Sequence, residues 1–224
     1  VIDKFFLPSP IRVVEELSDW VKDGSLWRHI LATLVPGIKG FAIATVAAFL
    51  LGYFLAMARF ASSVLEPYIT ALYGIPIISL VPLLILWFGI GELSKVLLIF
   101  LSVFLIMMVN AHAGARSCPA DLLRAAQSLG ASRMQVFVRV VFPSALPQIT
   151  TGLRVAMGTG FSILVASELL GGDRGLGFII LDASNFFRTT YVFAGIVVIG
   201  AIGLASDRLI AWAGRRLVHW DGRR

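Results

Sequence analysis

Apolar residues run along this chain in five long blocks separated by shorter polar stretches. Each block is near the roughly 20 residues that a bilayer crossing needs. They cover Pro36–Met57, Val64–Phe88, Lys95–Ala113, Gln148–Leu170 and Tyr191–Trp212. In the first block small residues recur at every fourth position, at Gly40, Ala44, Ala48, Gly52 and Ala56. The fourth block repeats the spacing with Gly152, Ala156 and Gly160. Such faces let helix backbones approach closely in lipid, so both are read as packing faces. The second block carries Pro67, Pro76 and Pro82. Each proline removes a backbone donor, which predicts a bent or broken helix. Whether that helix lines a path or only packs is open at this level.

The polar stretches have their own pattern. Ser9-Pro10 followed by IRVVEELSDWV predicts a short amphipathic helix at the outer interface. Ser9 caps it, Pro10 suits its first turn, and Val14, Leu17 and Val21 form an apolar stripe. Trp20 and Trp27 are read as interfacial anchors. The preferred reading is a peripheral helix without a part in substrate handling. Residues 1–35 together are read as an outer interfacial segment. After the fourth block, Glu168 precedes the glycine-rich turn GGDRGLG and a short helix over Phe178–Phe187.

The longest polar interruption, Asp121–Pro147, reads DLLRAAQSLGASRMQVFVRVVFPSALP. Leu122–Leu129 and Ser132–Val141 both read as helix, joined at Gly130-Ala131. Gly130 suits a left-handed end to the first helix and Ser132 an N-cap to the second. Pro143 and Pro147 are expected to break the helix near the membrane. Ala125 and Ala126 present a small, flat surface of the kind that lies in a partner's groove. A hairpin packed on its own bundle is the alternative.

Composition agrees with the blocks. Hydrophobic residues make up 58% and charged residues 14%, with mean hydropathy +0.89. A soluble domain carries about 25% charged residues, so lipid must solvate much of this surface. The fold class is an all-α polytopic membrane bundle, with residues 1–224 forming one domain. The net charge of +6 is assigned to the basic excess of cytoplasmic loops, with no nucleic-acid partner. The single cysteine, Cys118, excludes an internal disulfide.

Placing Asp121–Pro147 in the cytoplasm puts eleven arginines against four carboxylates inside. Outside stand eight cations against nine carboxylates. The opposite orientation would invert the positive-inside bias. Val1 then lies outside, so the native protein is expected to carry one further span before it, six in all.

Chemistry-bearing motifs are sparse. No G-x-x-x-x-G-K-[ST] phosphate loop occurs, and none of Lys4, Lys22, Lys39 and Lys95 follows such a glycine pattern. His29, His112 and His219 are scattered, without metal-ligand spacing. The chain is therefore read as no enzyme, holding no metal or cofactor. Two ionisable residues fall in the fourth span, and charge there is often functional. Arg154 is read as snorkelling to the inner interface. Glu168 is read as ordering the outer turn and, with Gly175 and Gly177, forming an outer gate.

The stretch RAAQSLGASRMQVFVRVVFPSALP resembles the cytoplasmic signature loop of ABC-importer permeases. That pattern is Glu-Ala-Ala, three residues, Gly, nine residues, then Ile-x-Leu-Pro. Ala125, Ala126 and Gly130 match at the family spacing. Val140, Phe142 and Pro143 stand where Ile, Leu and Pro are usual, and Arg124 stands where Glu is usual. SLWRHILATL, YGIPIISLVPLLILWFGIGELSK, LPQITTGLRVAMGTG, ASELLGGDRGLGFII and Trp220 resemble the nitrate/sulfonate/taurine branch. The resemblance covers nearly the whole chain.

It implies a permease of the bacterial inner membrane that moves a small, mostly anionic solute. Two ATP-binding subunits, which hold ATP and Mg, would dock beneath it. The docking residues would be Arg124, Ala125, Ala126, Leu129, Gly130, Ala131 and Ser132. A second permease subunit, taken as an identical copy, and a periplasmic or lipid-anchored solute-binding protein complete the expected assembly. The rival class is an ion-coupled secondary transporter or channel. Such proteins place ionisable groups near the midplane, where this sequence is nearly free of charge.

Overall fold

The computed structural model describes residues 6–57 and 59–218. Trp220, His219 and the terminal charges Asp3, Lys4, Asp221, Arg223 and Arg224 lie outside the described residues. The described chain forms ten α-helices. They are α1 (Pro10–Lys22), α2 (Ser25–Met57), α3 (Arg59–Tyr73), α4 (Val81–Phe88) and α5 (Glu92–Arg116), then α6 (Ala120–Ser128), α7 (Arg133–Val136), α8 (Phe142–Gly171), α9 (Leu176–Asn185) and α10 (Thr189–Leu217). Four helical stretches are long and apolar enough to cross a bilayer, and a bent pair makes a fifth.

α5 sits at the centre, between α2 and α8. Twelve of its residues are buried, more than in any neighbour. The small-residue faces account for this. A Cβ on Gly40 would lie 2.8 Å from the Val96 carbonyl and 2.9 Å from Ile99, both on α5. Gly52 approaches Ala111 equally closely. On α8, a Cβ on Gly152 would lie 2.6 Å from Asn110, and one on Gly160 2.9 Å from Val103. Ala44, Ala48 and Ala156 are fully buried in the same contacts. Both faces read from the sequence are thus packing faces, and both serve α5. The Ala56 side chain lies outside what is described.

The proline-rich second block is broken. α3 and α4 are joined through a 3-10 turn at Ile77–Leu80, and the two halves meet at 81°. The break falls at Gly74–Pro76, while Pro67 continues inside α3. Pro82 takes the first turn of α4, where its missing donor is not needed.

The structure departs from the sequence reading at the start of α2, on the face of α1 and at the prolines of α8. α2 starts at Ser25 and not at Pro36, and it runs through a buried Pro36. Its extra turns are held by packing: Leu26 joins the cluster of Val13, Trp20 and Ala194 beneath α1. Asp23 Oδ1 accepts the Ser25 N–H at 2.8 Å and so starts the helix. The neighbouring Ser25 holds the Asp23 carboxyl below its usual range. In α1, Ser9 accepts from Arg12 N as expected, but the buried face is Val13, Leu17 and Trp20. Val14 and Val21 are exposed, and Trp20 is 3% exposed, tilted against the Tyr191 ring at 5.5 Å. Trp20 is therefore a packing residue of the bundle, whereas Trp27 stays exposed.

Finally, Pro143 and Pro147 do not break the chain's return into the bundle. Arg133–Gly171 continues as one helical stretch. A wide π-type turn over Phe137–Val141 leads into α8, and Pro143 takes the first turn of that helix. Pro147 lies inside α8, and its carbonyl accepts the Thr150 and Thr151 hydroxyls at 2.8 and 3.0 Å.

Candidate functional site

The polar hairpin formed by α6 and α7 is built from local rules. α6 closes with paired bonds, Ala131 N–H to Ala126 O at 3.1 Å and Gly130 N–H to Gln127 O at 2.9 Å. This is the Schellman arrangement, and it requires the left-handed φ of +76° that Gly130 adopts. Two residues later Ser132 forms a full capping box. Its Oγ accepts the Gln135 N–H at 3.3 Å, and its own N–H donates to Gln135 Oε1 at 2.8 Å. The turn is therefore fixed from both sides, though it packs on little else. No residue of α6 or α7 is buried. Leu129 is 88% exposed, and Leu122 and Met134 are exposed beside it. Ala125 and Ser132 are exposed, Ala126 and Ala131 half-buried. Arg124 pairs with Asp121 one turn earlier at 3.0 Å, so its charge is answered within α6. The seven residues read as a docking surface thus lie on one short, exposed hairpin.

At the far end of α8 the sequence pointed to Glu168, Gly175 and Gly177. The structure brings them together. Glu168 is fully buried at the end of α8. Its Oε2 accepts the Gly177 N–H at 2.9 Å. Gly175 has φ +124°, and any Cβ there would collide with the Glu168 carboxylate. A Cβ on Gly177 would collide with the Val165 carbonyl. The glycines are what let the turn close over the carboxylate.

Two partners of Glu168 were missed from sequence. Lys95, in the first turn of α5, places Nζ 3.0 Å from Oε1 with only 8% of its side chain exposed. It donates again to the Arg174 carbonyl at 2.8 Å. Thr33, buried in α2, donates to the Glu168 carboxylate, 3.0 Å from either oxygen, and accepts the Leu176 N–H at 2.9 Å. His29 Nδ1 lies 3.1 Å from the Gly175 carbonyl. The turn at 171–177 is therefore tied to α2, α5 and α8 at once. The one signal in the sequence was a lone lysine at the mouth of an apolar block, which alone names no partner. Beside this network lies an open cleft of about 590 Å³, lined by Arg28, His29, Glu92, Lys95, Asp173 and Arg174. Lys39 and Glu92 form a further ion pair at its edge.

Arg154 is not a lone snorkelling residue. It forms a two-pronged ion pair with Asp207 of α10, Nε to Oδ1 at 3.0 Å and Nη2 to Oδ2 at 3.1 Å. Among the described residues no group of three His, Cys, Asp or Glu is placed to hold a metal ion.

A bundle of spanning helices, an exposed capped hairpin at one end and a buried ionic lock at the other define a membrane transport component. Residues 44–219 match the family described as binding-protein-dependent transport system inner membrane component, and the chain belongs to that family. It is similar to the taurine transport system permease protein TauC of Escherichia coli (strain K12), 39% identical over 96% of this chain and 82% of that protein. It is also similar to the putative aliphatic sulfonates transport permease protein SsuC of Bacillus subtilis (strain 168), 31% identical over 94% of this chain and 76% of that protein. The fold matches a chain of the inward-facing MetNI methionine ABC transporter with a TM-score of 0.67, covering 91% of this chain and 97% of that one, at 22% identity. The chain is thus a multi-pass inner-membrane component of an ABC importer.

Proposed function

We propose that this permease carries a small sulfonate, taurine-like or an alkanesulfonate, along a path between two copies of the chain. The names of its relatives support the substrate class. Closed two-fold symmetry is the common arrangement of identical subunits and supports the homodimer. Two partner subunits bind ATP and Mg and hydrolyse ATP, and a solute-binding protein delivers the solute from outside. The chain itself carries out no hydrolysis.

The observation that carries the reading is the α6–α7 hairpin. A rigid, fully capped turn with Leu129 in water is a surface held ready for a partner's groove. Arg124, Ala125, Ala126, Leu129, Gly130, Ala131 and Ser132 form it. The π-type turn at Phe137–Val141 runs straight into α8, so a displacement of the hairpin reaches the spans through a continuous helix. At the far end of α8, Glu168 with Gly175 and Gly177 forms the outer gate, and Lys95 and Thr33 hold it closed.

Copurification tests the docking role. The wild-type chain brings an ATP-binding subunit through detergent purification, and Ala125→Trp or Ala126→Trp releases it while the chain stays monodisperse. Retention of the subunit by both variants would refute the assignment.

A further inference from the structure

The Arg154–Asp207 pair is not used by the docking surface or by the outer gate. It lies fourteen residues from Glu168 along α8, roughly 21 Å at 1.5 Å per residue. Ionisable groups in spans are costly and are functional by default. The Lys95–Glu168 pair is closed over. The Arg154 and Asp207 side chains are instead 51% and 42% exposed. Arg154 borders a crevice of about 450 Å³ between α8 and α10, within the ~300–1,000 Å³ usual for ligand sites, and Asp207 is held beside it by the ion pair. Gln148, Thr150, Thr151 and Arg215 also line it. Its wall thus offers two guanidinium groups, Arg154 and Arg215, with the Asp207 carboxylate paired to the first.

We infer that Arg154 and Asp207 form a subsite for a small zwitterion that carries an oxyanion at one end and an ammonium at the other. The inference rests on the permease reading above. The planar fork of Arg154 now grips a carboxylate and can grip a sulfonate in the same way. When a sulfonate takes the guanidinium, Asp207 is left without its cation. An ammonium on the same solute restores the balance, so one ion pair is exchanged for two and no charge is stranded. A sulfonate without the amine leaves Asp207 unanswered, and the site discriminates against it. Arg215 adds attraction for the oxyanion from the opposite wall.

Taurine and ethanesulfonate differ only in the amine and are the probes. Equilibrium binding of each is measured on the detergent-purified permease–ATPase complex without solute-binding protein, for the wild type, Arg154→Gln, Asp207→Asn and Arg215→Gln. The wild type binds taurine at least tenfold more tightly than ethanesulfonate. Asp207→Asn removes that preference, Arg154→Gln loses both ligands, and Arg215→Gln weakens both severalfold while leaving the ion pair intact. If Arg154→Gln does not stay monodisperse, the other two variants decide. No taurine binding by the wild type, equal affinities across the variants, or a tightly held phospholipid in place of taurine would overturn the subsite. ATP-driven uptake by the wild-type complex in proteoliposomes is scored separately. Its absence sinks the permease reading, whereas uptake with an unchanged preference in Asp207→Asn sinks the subsite alone.

Discussion

Lys95 and Glu168, 73 residues apart in sequence, form a buried ion pair at 3.0 Å that joins the start of α5 to the end of α8. In a low-dielectric interior each charge depends on the other. Removing one partner of a buried pair costs about 3–5 kcal/mol, because the other is left uncompensated. Glu168→Met and Lys95→Met should each lower the thermal unfolding midpoint of the detergent-purified protein sharply. The double variant Lys95→Met/Glu168→Met should be less unstable than the two single losses added together. Additive losses would show that the two groups do not act as a pair.

Thr33 stands between that pair and the outer turn. Thr33→Val keeps the shape but leaves the buried Leu176 N–H without an acceptor, at a cost of about 1–3 kcal/mol. Thr33→Ser retains the hydroxyl and should be close to wild type. Hydrogen exchange at 171–177 reads the difference: faster in the valine variant, unchanged in the serine variant.

Two glycines on α8 give a matched contrast. Gly152→Ala forces a Cβ against Asn110, and overpacking of this kind costs about 1–3 kcal/mol. Gly158 has nothing within 4 Å, so Gly158→Ala should be neutral or gain up to about 1 kcal/mol from helix propensity. Unfolding midpoints that move together would contradict the close approach of α8 to α5.

The capping box makes a prediction for the hairpin alone. Ser132→Ala removes the bond to Gln135 and should cost about 0.5–2 kcal/mol of local stability. Proteolysis around residues 129–136 should quicken while the midpoint of the spans stays put. A global loss would mean that the hairpin is not an independent unit.

What the sequence disclosed and what it hid separate along a physical line. Gly130 and Ser132 act through neighbours a few residues away, so their roles were legible. The four-residue spacing of Gly40, Ala44, Ala48 and Gly52 announced a packing face, and the prolines announced the bend in the second block. The face of α1 was missed because Val13–Leu17–Trp20 and Val14–Leu17–Val21 satisfy the helical period equally. Only Tyr191 and Ala194 of α10 decide between them. The start of α2 was hidden for a related reason, since Pro36 resembles a boundary until the packing of Leu26 is known. Thr33, Lys95 and Asp207 were silent because each meaning lies in a partner 53 to 135 residues away. Glu168 was read from its glycine-rich neighbour, and it is the one member of the lock with a local signal.

Coupling between ATP hydrolysis and movement of the solute is the central claim, and Gly130 is its most exposed point. The measurement is solute taken up per ATP hydrolysed in proteoliposomes holding the whole complex, compared between the wild type and Gly130→Pro. The account predicts that Gly130→Pro loses uptake while the spans remain folded and the partner still hydrolyses ATP. An unchanged ratio in that variant would contradict it.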